Sequence, residues 1–120
     1  MIIRIFRTTI HPELRQDFER DFNSISVDAV KDKHGFISCH IGTPTKWNPN
    51  EYSMITVWKD EDALAAFAGK DWHKAVIPPG MERYPVSFTV EHFNIHPANI
   101  SMNVGQQVAR ADALTRATQF

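Results

Sequence analysis

The stretch Ile2-Ile3-Arg4-Ile5-Phe6-Arg7 constrains the fold more than any other part of the sequence. Side chains alternate sides along a strand, so Ile3 and Ile5 lie opposite Ile2 and Phe6, and neither side is polar. A β-strand over about residues 2 to 9 built this way needs cover on both faces of its sheet. His11-Pro12 ends it, and Pro suits the first turn of a following helix.

From Pro12 to Lys33 the apolar positions Leu14, Phe18, Phe22, Ile25 and Ala29 are four, four, three and four apart, which is one face of an α-helix. Gly35 is placed to end it with a positive φ. Phe36 to Thr43 reads as a strand, Pro44 to Asn50 as a loop, and Glu51 to Lys59 as a strand that alternates Tyr52, Met54, Thr56 and Trp58 against Ser53, Ile55 and Val57. Asp60 is a helix cap followed by Glu61 and Asp62, with Ala63, Leu64 and Phe67 as the apolar face and Gly69 as the stop. Asp71 opens a further short turn carrying Trp72, His73, Ala75 and Val76, which Pro78-Pro79-Gly80 breaks. Val86 to Ile95 is the last strand, with Val86, Phe88, Val90 and His92 on one side and Phe93 and Ile95 on the other.

The order β-α-β-β-α-β predicts an α+β, ferredoxin-like fold: a four-stranded antiparallel sheet with both long helices on one face. No helix within residues 1 to 95 remains for the other face. A second copy of the chain, packed sheet against sheet, is the simplest cover, so a homodimer is expected. Residues 96 to 120 form a C-terminal extension. Val108, Ala111 and Leu114 make a weak amphipathic helix plausible there, packed on the dimer partner.

At 120 residues the chain is one domain, and thirteen Lys and Arg against fourteen Asp and Glu leave a formal charge of −1. That balance supplies no electrostatic reason for nucleic acid or an anionic membrane as partner. The single cysteine, Cys39, excludes an intramolecular disulfide and a CxxC site, and suits a reducing cytoplasm. No apolar run spans a bilayer, and the opening residues lack the pattern of a signal peptide.

Several segments resemble one family. Met1 to Arg7 is similar to the first strand of the antibiotic biosynthesis monooxygenase superfamily, the dimeric α+β barrels. So are His34-Gly35-Phe36-Ile37, the run from Val57 through Asp60 to Phe67, Asp71 to Val76, and Val90-Glu91-His92-Phe93. The resemblance covers about residues 1 to 95. It implies a ligand pocket between the helices and the sheet of each subunit. Some members oxygenate polycyclic phenols or quinols with O2 and use neither metal nor flavin, others bind and degrade haem, and many have no known activity. The haem degraders' Asn, Trp and His positions fall here on Phe6, Phe67 and Ile77, so the sequence departs from that branch.

A cofactor-free oxygenase needs an apolar aromatic pocket and one or two groups for hydrogen bonding or proton transfer. Phe6, Trp58, Phe67 and Trp72 are the candidate walls, with Ile77 and Arg4 as further substrate-binding residues. Plain core packing is the competing reading, above all for Phe67 and Trp58. Of six histidines, His73 and His92 are the candidates for proton transfer, against a structural or surface role. Arg4, Arg7 and Arg83 are the cations able to hold an anionic substrate oxygen; Arg4 and Arg7 lie on opposite faces of one strand. No metal site is expected: His92 and His96 on a strand would be about 13 Å apart, at a rise of ~3.3 Å per residue. The leading reading is a cofactor-independent monooxygenase acting on a small aromatic phenol or quinol. The alternative is a non-catalytic dimer that binds or senses a small ligand, with haem binding behind it.

Overall fold

The computed structural model describes residues 1–96, and the C-terminal extension lies outside the described residues apart from His96. Four strands, β1 (Ile2–Ile10), β2 (Phe36–Gly42), β3 (Glu51–Trp58) and β4 (Pro85–Asn94), form one antiparallel sheet in the order β2-β3-β1-β4. The strand with two apolar faces is therefore interior. Its even-numbered residues face the helices: Ile2, Arg4, Thr8 and Ile10 are buried and Phe6 is half-buried. β3 alternates in the same way, with Tyr52, Met54, Thr56 and Trp58 all buried.

The first helical segment departs from the regular helix predicted over Pro12 to Lys33. It is a 3-10 turn at Pro12–Leu14, a helix α1 (Arg15–Asp21), and a π-helical turn at Phe22–Ser26. Helical structure ends at residue 28, and a run of turns leads to Gly35, at φ 78°. The π turn changes which residues point inward. Phe18, Phe22, Ser26 and Val30 are buried, four apart throughout, while Ile25 is only half-buried. A regular α-helix would have needed a step of three at Ile25 to keep its face on the sheet. Polar side chains serve the widened turn: Asn23 Nδ2 donates to the Glu19 carbonyl at 2.9 Å, and Ser24 Oγ to the Arg20 carbonyl at 3.1 Å.

The second helix, α2 (Glu61–Ala68), begins as expected. Asp60 Oδ1 accepts from the Ala63 N–H at 2.8 Å, and Gly69 follows the last turn at φ 90°. The segment after it is a turn at residues 70–73 followed by irregular chain to residue 78. Its Lys74 N–H donates to the Asp71 carbonyl at 2.9 Å.

The core between helices and sheet is aromatic. Phe18 stacks on Phe22 at 4.7 Å between centroids and meets the edges of Tyr52 at 4.6 Å and Tyr84 at 5.3 Å. Such pairs contribute about 1 kcal/mol each beyond area burial. A second cluster holds Trp58 between Phe36 and Phe67. The opposite face of the sheet stays partly open. Ile3, Ile5, Ile55 and Val57 are half-buried there, and Phe93, beside Ile3, is 51% exposed.

Candidate functional site

An apolar cavity of about 50 Å³ lies between the inner face of the sheet and the first helical segment. β1 contributes Arg4, Phe6 and Thr8; the helix and its π turn contribute Phe18, Phe22 and Ser26. β3 adds Met54 and Thr56, α2 adds Phe67, and the irregular segment closes it with Val76, Ile77, Pro78 and Met81.

Arg4 is the charged residue of the lining. Its side chain is pinned by the centre of the sheet, in register with Thr56 of β3 and His92 of β4, and it is only 5% exposed. Nη1 donates to the Trp72 carbonyl at 2.6 Å and lies 3.0 Å from His92 Nε2, and Nη2 donates to the Lys74 carbonyl at 2.9 Å. Burial pulls its pKa down to about 10, so it stays a cation at neutral pH. The two carbonyls tie the chain around Trp72 and Lys74 to the central strand.

His92 is set by the same cluster. A guanidinium can only donate, so Nε2 must accept, and the ring carries its proton on Nδ1. The Trp72 ring meets the imidazole edge-on at 4.7 Å. Burial, followed by the charges of Arg4 and His73, holds the His92 pKa below its ordinary value. His92 is thus a neutral imidazole whose free lone pair is committed to Arg4.

The structure brings together Arg4, Phe6, Phe67 and Ile77 as walls of one cavity. Trp58 is wholly buried in the neighbouring core, with its Nε1 donating to Thr56 Oγ1 at 2.9 Å, and does not line the cavity. Trp72 is half-buried and stands outside the lining, beside His92. His73 is exposed and faces a separate shallow groove with Lys74, Phe88 and Val90. Cys39 is half-buried on the inner face of β2, where burial pushes its thiol pKa up. His40 takes the opposite face, across from Ile55.

The sequence reading missed Ser26, Thr8, Met54 and Met81. Ser26 was hidden by the π turn. The available signal was the run Asn23-Ser24-Ile25-Ser26, three poor helix formers in the middle of a helical pattern. Among the described residues no group of three or more His, Cys, Asp and Glu is arranged to hold a metal ion, and no helix is long and apolar enough to cross a membrane.

The chain is thus a ferredoxin-like α+β domain with a small apolar pocket between sheet and helices. The sequence profile of the antibiotic biosynthesis monooxygenase family matches residues 1–78, and the chain belongs to that family. Solved structures agree on the fold. SnoaB, a cofactor-independent oxygenase from Streptomyces nogalater, is 18% identical with a TM-score of 0.61, over 83% of this chain and 97% of that one. A MhuD mutant with two manganese protoporphyrin IX molecules per active site is 17% identical with a TM-score of 0.63, over 85% and 100%. A conserved protein from Methanosarcina mazei is 22% identical with a TM-score of 0.60, over 80% and 94%. A search of curated proteins returns no match.

Proposed function

We propose that this chain is a monooxygenase that needs neither metal nor flavin and acts on a small aromatic phenol or quinol with O2, as a cytoplasmic homodimer. The observation that carries the reading is a buried arginine, without a carboxylate partner among the described residues, set in the wall of an apolar cavity. An ionised phenol or quinol is itself a reductant for O2, so the protein has three tasks: bind it, favour its anion and exclude water. Arg4 supplies the cation that binds an anionic oxygen of the substrate in an otherwise apolar wall. The phenylalanines and methionines exclude water. A dihydroxy ring and O2 then yield a hydroxyquinone and water; the ring loses four electrons and O2 accepts them. His92 acts as a positioning residue, because its one free lone pair holds Arg4. The membership of the family and the fold shared with SnoaB support this reading.

The homodimer has its own support. Ile3, Ile5, Ile55, Val57 and Phe93 form an apolar patch across three adjacent strands, on the face that no helix among the described residues covers. Light scattering at low micromolar concentration is expected to give twice the 13.7 kDa chain mass; a monomer would refute the dimer.

The positions that the haem degraders use do not suit haem here. Phe6, Phe67 and Ile77 carry no ligating atom, His92 Nε2 is engaged by Arg4, and His73 faces away from the lining.

The test is oxygen uptake by metal-stripped, flavin-free protein with a panel of hydroquinones and naphthols. Uptake above autoxidation that Phe6→Ala weakens is the expected result. No uptake across the panel, with ligands still raising Tm, would replace the oxygenase by the binding dimer.

A further inference from the structure

We propose that the ligand of this cavity is an aromatic acid: a phenolic ring bearing a carboxylate whose two oxygens take the two unspent N–H groups of Arg4. The proposal rests on the pocket assigned above and narrows its substrate class. A guanidinium has five N–H donors. Three hydrogen bonds, to the carbonyls of Trp72 and Lys74 and to His92, leave the Nε hydrogen and one on Nη2 without a partner among the described residues. Those two atoms are neighbours on the guanidinium, and together they can grip both oxygens of one carboxylate.

Charge points the same way. A buried cation is ordinarily paired with an anion, because dipoles alone offset little of its lost hydration. Among the described residues, only dipoles are supplied to Arg4. Glu91, the acid nearest in β4, pairs with Arg7 on the far face of the sheet. The groups beside Arg4 in the Trp72–Lys74 segment are His73 and Lys74, which add no negative charge. The missing anion is therefore expected from the ligand. Its remaining body must be apolar and flat to lie among Phe6, Phe67 and Met81.

The test is calorimetric titration of the full chain, without oxygen, using three ligands: hydroquinone, hydroquinone with a ring carboxylate, and the primary amide of that acid. The acid is expected to bind at least about tenfold more tightly than the amide, whose NH2 would leave an Arg4 donor facing a donor. Arg4→Gln should abolish that ratio, and Arg4→Lys, which keeps the charge and loses the fork, should retain part of it. Equal or weaker binding of the acid, or no binding of it, overturns the proposal. Should Arg4→Gln fail to fold, the wild-type ratio and Arg4→Lys still decide. Acid binding without oxygen uptake would keep the carboxylate site and sink the oxygenase. Oxidation of neutral phenols with no preference for the acid would do the reverse.

Discussion

Gly35 is the position where adding one methyl group should cost most, and the cost has two separable parts. Its φ of 78° lies in the left-handed region, where an L side chain costs roughly 1–2 kcal/mol. A Cβ there would also overlap the Cβ of Ala63 in the first turn of α2 and touch that of Lys59 at 3.6 Å. Relief by shifting the Gly35 backbone is opposed by the hydrogen bond from the Lys59 N–H to the Gly35 carbonyl, at 2.8 Å. Overpacking of this kind costs about 1–3 kcal/mol. Gly35→Ala should therefore lose about 2–5 kcal/mol, which for a domain of this size lowers Tm by roughly 8 °C or more. Denaturant titration of four proteins separates the parts: wild type, Gly35→Ala, Ala63→Gly and the double variant. Ala63→Gly alone should cost about 1 kcal/mol in helix propensity. In the double variant the overlap is gone and only the φ cost and the propensity cost remain, so the two changes should couple favourably by about 1–3 kcal/mol. Additivity within about 0.5 kcal/mol would show that α2 does not press on Gly35, and the argument would fail.

Two further outcomes follow from the hydrogen-bonded tyrosine and histidine. Tyr52→Phe removes the bond from the hydroxyl to Glu19 Oε1 at 2.5 Å and should cost about 1 kcal/mol at neutral pH, a modest value because Glu19 is half-exposed. Burial and then Glu19 raise the Tyr52 pKa to about 12, so this advantage of the wild type is present below pH ~10, the unfolded value, and fades as pH rises through 12; an unchanged difference at high pH would refute it. His92→Gln keeps an acceptor for Arg4 but cannot titrate. Because the folded His92 pKa is depressed, the unfolded chain binds the extra proton, so wild-type Tm should fall as pH drops below the unfolded value of ~6.5. His92→Gln should show a shallower fall, and parallel profiles would show that His92 is not held neutral by its surroundings.

Strand assignment was legible because alternation is a local signal. Ile2, Arg4 and Phe6 share a face by arithmetic alone, and the cap at Asp60 and the turn at Gly35 follow from single-residue chemistry. Which face turns inward does not follow, since Ile3 and Ile5 lie on the other, but that Arg4 shares one face with Ile2 and Phe6 does. The partners of Arg4 do not follow either, because two of them are backbone carbonyls some seventy residues away, and any residue carries a carbonyl. The same limit separates the tryptophans. Trp58, Trp72 and Phe67 look alike as apolar aromatics in sequence; which of them lines a void depends on where α2 lies against the sheet. Phe67 stacks on Trp58 at 5.1 Å, so Phe67 becomes the wall and Trp58 the packing behind it. The π turn was missed for a related reason. A helical repeat of 3.6 residues was the expected period, and one widened turn replaced Ile25 by Ser26 on the inner face.

The size of the cavity and the role of Arg4 bear on each other. A single aromatic ring needs roughly 150 Å³, judging by an engineered cavity that takes benzene. The free volume here, about 50 Å³, is smaller, so a ring displaces part of the wall when it binds. The sheet cannot yield without breaking its ladder, and the first helical segment is fixed by the packing of Phe18 against Tyr52 and Tyr84. The irregular chain through Val76, Ile77 and Pro78 is the remaining wall. Just ahead of it, Arg4 holds the carbonyls of Trp72 and Lys74. A ligand carboxylate on the other edge of the guanidinium would leave those two bonds in place. The anion could thus be gripped while the chain beyond Lys74 moves to admit the ring, and one buried arginine would serve both the binding site and its wall.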